Sequence, residues 1–294
     1  MAQGVLVVGD VMTDIIVRPE GPVVPGSDRR AEIRNRPGGS GANQAVWLAW
    51  AGVAVTFAAR VAAADKGFYE NYFRGLGVIP VLAADRDLPS GVLVTILDPS
   101  NERSFLTDRG ANLNLCADDL PDDLLDGIGL VVISGYSLFA PTPRHAVRAL
   151  LEKARLRQVA IAIDPASVGF LAEIGPGNFR AWVGEADWLF ANESEAEMLS
   201  GEADHEQQMR RLGEQFTYVV IKRGRFGASL GGKGGIALNR PAPTVDVADT
   251  TGAGDAFAAG FVAALMRGEP QDVCLESGIV SGAKAVQVLG GQPG

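Results

Sequence analysis

The sequence predicts an α/β fold, a three-layer α/β/α sandwich with a mainly parallel central sheet, and a small β-sheet standing off the main layer. Short apolar, β-branched runs lack polar alternation, as strands buried on both faces do. Between them lie longer segments with apolar residues at three- and four-residue spacing, the period of a helix with one buried face. Two polar, alternating stretches in the first half break this rhythm.

In chain order, residues 5–8, 53–57, 130–133, 159–163, 188–190 and 218–221 read as buried strands. Residues 41–51, 143–157, 193–200, 204–215 and 254–267 read as helices. The exceptional stretches, about 15–36 and 91–107, contain segments such as Val92-Leu93-Val94-Thr95-Ile96 with little helical signal. They read as antiparallel ribbons solvated on one face, in a position where a small sheet can serve as a lid. No internal repeat and no Pro- or Ser-rich linker divides the chain, so residues 1–294 read as a single domain with the lid segments inserted in it.

Composition narrows the function. The 294 residues suffice for one large core. Twenty-six Lys and Arg against 35 Asp and Glu give a formal charge of -9, which argues against a nucleic-acid surface built on bulk attraction to phosphates and leaves room only for a local basic patch. Cys116 and Cys274 have no metal-ligand spacing and cannot build a disulfide framework, which fits a reducing cytoplasm. The apolar start stops at Gly9-Asp10 and has no basic flank, so no signal peptide is expected, and no run is long enough for a membrane helix.

The most informative segment is Asp249-Thr250-Thr251-Gly252-Ala253-Gly254-Asp255, followed by an apolar helical pattern. A glycine turn entering a helix presents unpaired N–H groups and the positive end of the helix dipole, a site for phosphate. Asp255 falls in the first helical turn, placed to take a proton from a bound hydroxyl. Alone, a Gly-x-Gly is an ordinary loop and such an Asp merely complements the dipole; seven residues in this order favour the functional reading. Gly38-Gly39-Ser40-Gly41-Ala42-Asn43 also precedes a helix. It reads equally as a tight loop with Asn43 at a helix start or as a backbone cradle for a polyol. Asp14 follows the first strand, where a carboxylate can accept from ligand hydroxyls. Gly227-Ala228-Ser229-Leu230-Gly231-Gly232-Lys233 mimics a P-loop, but Gly234 lacks the required hydroxyl, and the segment reads as a hairpin turn. His145 and His205 have no zinc or triad pattern and read as surface residues.

Together these segments resemble the ribokinase-like, or PfkB, family of carbohydrate and nucleoside kinases, with matches spread from Val5 to Pro293. Asp249 to Asp255 is similar to the family's C-terminal signature and Gly38 to Ala45 to its glycine signature. Asn192-Glu193-Ser194-Glu195 resembles its Asn-x-x-Glu motif, and Lys222-Arg223-Gly224-Arg225-Phe226-Gly227 its strand-end turn beside the nucleotide. The resemblance implies a ribokinase-like sandwich with a β lid, and transfer of the ATP γ-phosphoryl group to a sugar hydroxyl. It implies Asp255 as base and Gly252, Ala253 and Gly254 as the anion hole. Asp14, Gly39, Ser40, Gly41 and Asn43 would contact the sugar. Asn192, Lys222, Gly224 and Gly227 would lie around ATP, and Glu195 would act on Mg2+ through water. Ala283 to Val286 and Gly290 to Pro293 resemble the segment that, with Asp249 and Thr251, can hold K+. Lid sheets of this family often pair between subunits, which implies a homodimer.

The substrate is less defined. Met12 and Ser134-Gly135-Tyr136 stand where ribokinases carry an Asn and a glutamate, which points away from ribose. Arg18, Arg29, Arg30, Arg34, Arg36, Arg103 and Arg109 lie in or beside the lid segments. They read either as a solvated face paired with Asp28 and Glu32 or, at Arg103 or Arg109, as a clamp for the anionic tail of a sugar acid. A nucleoside kinase would need an aromatic contact, for which Phe105, Tyr136 and Phe139 are candidates. A silent sugar-binding regulator is the non-enzymatic alternative.

Overall fold

The computed structural model describes residues 4–97 and 103–293. Its strands are β1 (Gly4–Val8), β2 (Met12–Pro19), β3 (Ala31–Gly38), β4 (Val55–Ala62), β5 (Val78–Asp85), β6 (Gly91–Leu97), β7 (Arg103–Asp108), β8 (Ile128–Ser134), β9 (Ala160–Asp164), β10 (Ala186–Asn192), β11 (Phe216–Lys222), β12 (Ala228–Gly232) and β13 (Gly235–Arg240). The helices are α1 (Ser40–Trp50), α2 (Lys66–Gly75), α3 (Pro141–Leu156), α4 (Val168–Ile174), α5 (Pro176–Val183), α6 (Glu193–Ser200), α7 (His205–Leu212), α8 (Ala253–Met266) and α9 (Gln271–Ala285).

Nine strands form the main sheet in the order β13-β12-β11-β10-β9-β8-β1-β4-β5. The pairings are parallel except those of β11 with β12 and β12 with β13, which are antiparallel. The absence of polar alternation has a direct physical cause. Val5 and Val7 of β1 pack into one core with residues of α1, α2, α8 and α9, while Leu6 and Val8 pack into a second with residues of α3 to α7. Every side chain on such a strand must be apolar because both faces are buried. Strand order changes direction between β8 and β1, and such a switch point opens a crevice at the carboxyl ends of the strands.

A second sheet has the order β3-β2-β6-β7. The two expected ribbons are present as antiparallel pairs, β2 with β3 and β6 with β7, but β2 and β6 join them in parallel. The mimic of a P-loop is the β12–β13 hairpin.

Several elements escaped the sequence pattern. β4 runs on to Ala62 through Arg60, whose charge conceals the strand; its guanidinium pairs with Asp85 and Asp119 at 2.9 and 2.8 Å. β5 carries Pro80, tolerated because the strand lies at the sheet edge. α2 and α9 lie outside the segments with a clear helical pattern, and in α9 Gly278 and Gly282 interrupt the apolar period. No helix among the described residues is long and apolar enough to cross a membrane.

Candidate active site

Gly252 holds a left-handed conformation, φ 71°, immediately before α8. A Cβ there would lie 2.5 Å from Gly291 Cα, so position 252 demands glycine on both conformational and steric grounds. The turn brings Asp255 into the first turn of α8, where its carboxylate meets the start of α1. Ser40 Oγ donates to Asp255 Oδ1 at 2.7 Å, Gln44 Nε2 donates to the same oxygen at 3.3 Å, and Asn43 Nδ2 donates to Oδ2 at 3.1 Å. Burial pushes the Asp255 carboxyl up to about 7, and the negative charge of Asp164 adds to this against the pull of these donors and of Lys222. A carboxylate poised near neutrality is a far stronger base than a solvated one.

The expected sugar contacts Ser40 and Asn43 therefore orient Asp255, leaving some hydrogen-bonding capacity over. Asn43 Oδ1, Gln44 Oε1 and Asp14 Oδ1 are buried acceptors without a partner among the described residues. Buried acceptors left unpaired are costly, and of these three residues Asp14 and Asn43 line a cavity open to a ligand. Asp14 is 7% exposed, and burial first, then Asp10 and Asp249, push its carboxyl up to about 7.

Gly39 lines the same cavity, whereas Gly41 has a packing role: a Cβ on it would stand 2.6 Å from Gly9 Cα, where α1 abuts the end of β1. Asp10 escaped the sequence reading, although a lone Asp directly after a buried strand is its signal. It is 2% exposed and accepts from the Gly41 N–H at 3.1 Å and from Arg109 Nη1 at 3.2 Å. Arg109 also stacks over the Tyr136 ring at 4.5 Å. The proposed anion clamp at Arg109 is thus occupied in neutralising a buried carboxylate, which needs such a partner. The side chain of Arg103 lies outside the described residues.

Across the cavity, Asn192 and Glu195 form a reciprocal helix cap: Glu195 N–H donates to Asn192 Oδ1 and Asn192 N–H to Glu195 Oε2, both at 2.9 Å. The Asn-x-x-Glu spacing is itself a capping signature. Burial pushes Glu195 up to about 7. Lys222, at the end of β11, donates to Asp164 Oδ2 at 2.9 Å. Its Nζ lies 3.3 Å from where a Cβ on Gly254 would stand, so the ammonium reaches the first turn of α8. Asp164 ends β9 and carries no motif, so only the fold brings it here. Gly224 and Gly227 frame the turn between β11 and β12. Ala253 opens α8. Asp249 accepts from the N–H groups of Thr251 at 2.7 Å and Gly290 at 2.9 Å, drawing the turn after α9 against the glycine turn.

A cavity of about 630 Å³ collects Asp14, Ser40, Asn43, Asp164, Lys222 and Asp255 from separate parts of the chain. One end presents acceptors for hydroxyls and the other a helix N-terminus with a buried ammonium, the complement of a polyol facing an anion.

The profile of the pfkB family carbohydrate kinases matches residues 2–294. The chain is 30% identical over 263 residues to a 5-dehydro-2-deoxygluconokinase from Clostridium perfringens, a match covering 85% of this chain and 78% of that one. Ribokinase from Cryptococcus neoformans var. grubii, solved in complex with ADP, superposes with a TM-score of 0.80 at 25% identity, covering 98% of this chain and 95% of that one. Adenosine kinase from Sinorhizobium meliloti superposes with a TM-score of 0.86 at 22% identity, covering 100% and 96%, a likeness of fold alone.

Proposed function

Because the chain belongs to the pfkB family of carbohydrate kinases, we propose that it transfers the γ-phosphoryl group of ATP to a hydroxyl of a small sugar or sugar acid, with Asp255 as general base. The observation that carries this reading is the unpaired buried acceptors of Asp14 and Asn43, which line the cavity with a carboxylate poised near neutrality. Acceptors without donors call for hydroxyls, and the base stands among them. The N-terminal turn of α8 and Lys222 supply the positive field that phosphoryl transfer needs. The relative named for a sugar acid and the ADP-bound ribokinase support the acceptor class and the nucleotide.

Magnesium fits this arrangement as part of the nucleotide. No cluster of three or more His, Cys, Asp or Glu side chains among the described residues could hold a metal on its own. Mg2+ commonly takes one or two carboxylates plus substrate phosphates, and Glu195 and Asp164 line the cavity as such carboxylates, Glu195 acting through water. The ion would neutralise phosphate charge. In the same reading K+ is held at Asp249 and Thr251, where the glycine turn meets the turn after α9. A cytoplasmic setting completes it, with Cys116 and Cys274 as free thiols.

The test is an ADP-release assay across neutral sugars, sugar acids and nucleosides, run from pH 5 to 9. Turnover of a sugar or sugar acid is expected, with kcat/KM falling below about pH 7 as Asp255 takes up its proton. A flat profile would remove Asp255 from the role of base. Turnover of nucleosides alone would favour the second reading, which the cluster of Tyr136, Phe139 and Phe170 beside the cavity supports. Sugar binding without ADP release would mark a silent regulator.

The small sheet serves in this reading as a lid and as a dimer contact. Register places Val17 beside Ile33 and Ile96, and Val94 beside Leu106, on the face opposite Asp14. Ile33 and Leu106 are 62% and 61% exposed. An aliphatic sheet face of this kind suits a second copy. Sedimentation of the wild type is expected to give a dimer, and Ile33→Glu with Leu106→Glu a monomer; a monomeric wild type refutes the contact.

A further inference from the structure

Beside the cavity of Asp255 lies a smaller chamber of about 180 Å³, between the small sheet and the turn after α9. Asp14 and Thr251 line both spaces, so the two adjoin there. Cross-strand register sets Asp14, Ile16 and Arg18 of β2 opposite Arg36, Arg34 and Glu32 of β3, and all six line the chamber.

Three arginines, Arg18, Arg34 and Arg36, and three acidic residues, Asp14, Glu32 and Asp249, line the chamber, but they are not matched pair by pair. Arg34 pairs with Glu32. Arg36 donates to the Leu289 carbonyl, a neutral acceptor, and Arg18 has no hydrogen-bond or ion-pair partner among the described residues. Two guanidinium groups therefore border the chamber without a paired carboxylate. Two buried polar atoms add a second, independent mark of a ligand. Gln292 Oε1 accepts from the Tyr72 hydroxyl, which leaves its Nε2 as a buried donor without a partner, and Asp14 Oδ1 is a buried acceptor without one. Cations, a spare amide donor and a spare carboxylate oxygen together complement a hydroxylated chain ending in an oxyanion.

We propose that this chamber is the subsite for a terminal oxyanion on the acceptor, a carboxylate or a phosphate, read by Arg18 and Arg36. Asp14 binds a hydroxyl between that end and the end that faces Asp255. The assignment of the reacting end rests on the kinase reading above; the binding of the anionic end does not. Arg109 is not the reader, because Asp10 and Tyr136 already engage its guanidinium.

Calorimetric titration of the full chain with gluconate, glucose 6-phosphate and glucose, without nucleotide, tests the subsite. At least one anionic ligand is expected to bind tenfold or more tighter than glucose, and which one does so separates a carboxylate from a phosphate. Arg18→Gln and Arg36→Gln are each expected to reduce that preference by about tenfold, the effect of losing a charged hydrogen bond. Arg18→Gln removes no contact among the described residues, so it keeps the test valid if Arg36→Gln loosens the turn at Leu289. Equal affinities in the wild type, or a preference that survives both substitutions, overturn the subsite. An anion preference without ADP release from any acceptor would instead reject the kinase reading and leave the subsite standing.

Discussion

Asp255→Asn is expected to lower kcat by about 10²- to 10⁴-fold, with acceptor and nucleotide affinity changed only a few-fold. The amide keeps the shape of the side chain beside Ser40, Asn43 and Gln44 but cannot take a proton. The same substitution has an opposite consequence for stability. The folded carboxyl sits at about 7 against 3.8 for an ordinary one, so between those values the folded state binds more protons than the unfolded state. Stability from this group is complete below its unfolded value and is lost as pH rises through about 7. Asparagine has no such dependence. Melting temperatures from pH 5 to 8 should show the variant gaining on the wild type as pH rises, a trade of stability for function. Near-normal turnover in the variant would refute Asp255 as the base.

Lys222→Met is the second large effect. It leaves the Asp164 carboxylate buried without its cation and Glu195 without a neighbouring positive charge. Breaking a buried pair from one side costs about 3–5 kcal/mol, measurable by urea unfolding. If Lys222 also stabilises the transferring phosphoryl group at the first turn of α8, kcat falls by roughly 10²- to 10³-fold, as for loss of an oxyanion-hole donor. The double variant Asp164→Asn, Lys222→Met separates these roles. It is expected to recover most of the stability and none of the turnover. Recovery of turnover with stability would reduce Lys222 to a structural counter-charge.

The strand pattern of the main sheet was legible because each buried strand announces itself by having no polar face, and Gly252 to Asp255 because a glycine turn entering a helix restricts several successive residues at once. β4 beyond Phe57 and the edge strand β5 were concealed by Arg60 and Pro80, whose tolerance depends on Asp85, Asp119 and position in the sheet. The Asn192–Glu195 spacing could have been read as a helix cap from the sequence, since both partners lie within one turn.

What the sequence determined alone was therefore what local geometry and burial on two faces impose: the α/β alternation, the family signatures, and the turn that carries Asp255. Tertiary structure decided the electrostatics. Asp10 and Asp164 are single residues at the ends of two strands, and neither has a recognisable neighbour in the chain. They acquire meaning because Arg109 and Lys222, 99 and 58 residues away, are brought within hydrogen-bonding distance. Ser40 and Asn43 likewise become partners of Asp255 across more than 200 positions. Charge acts through space and burial, and neither is written in residue order.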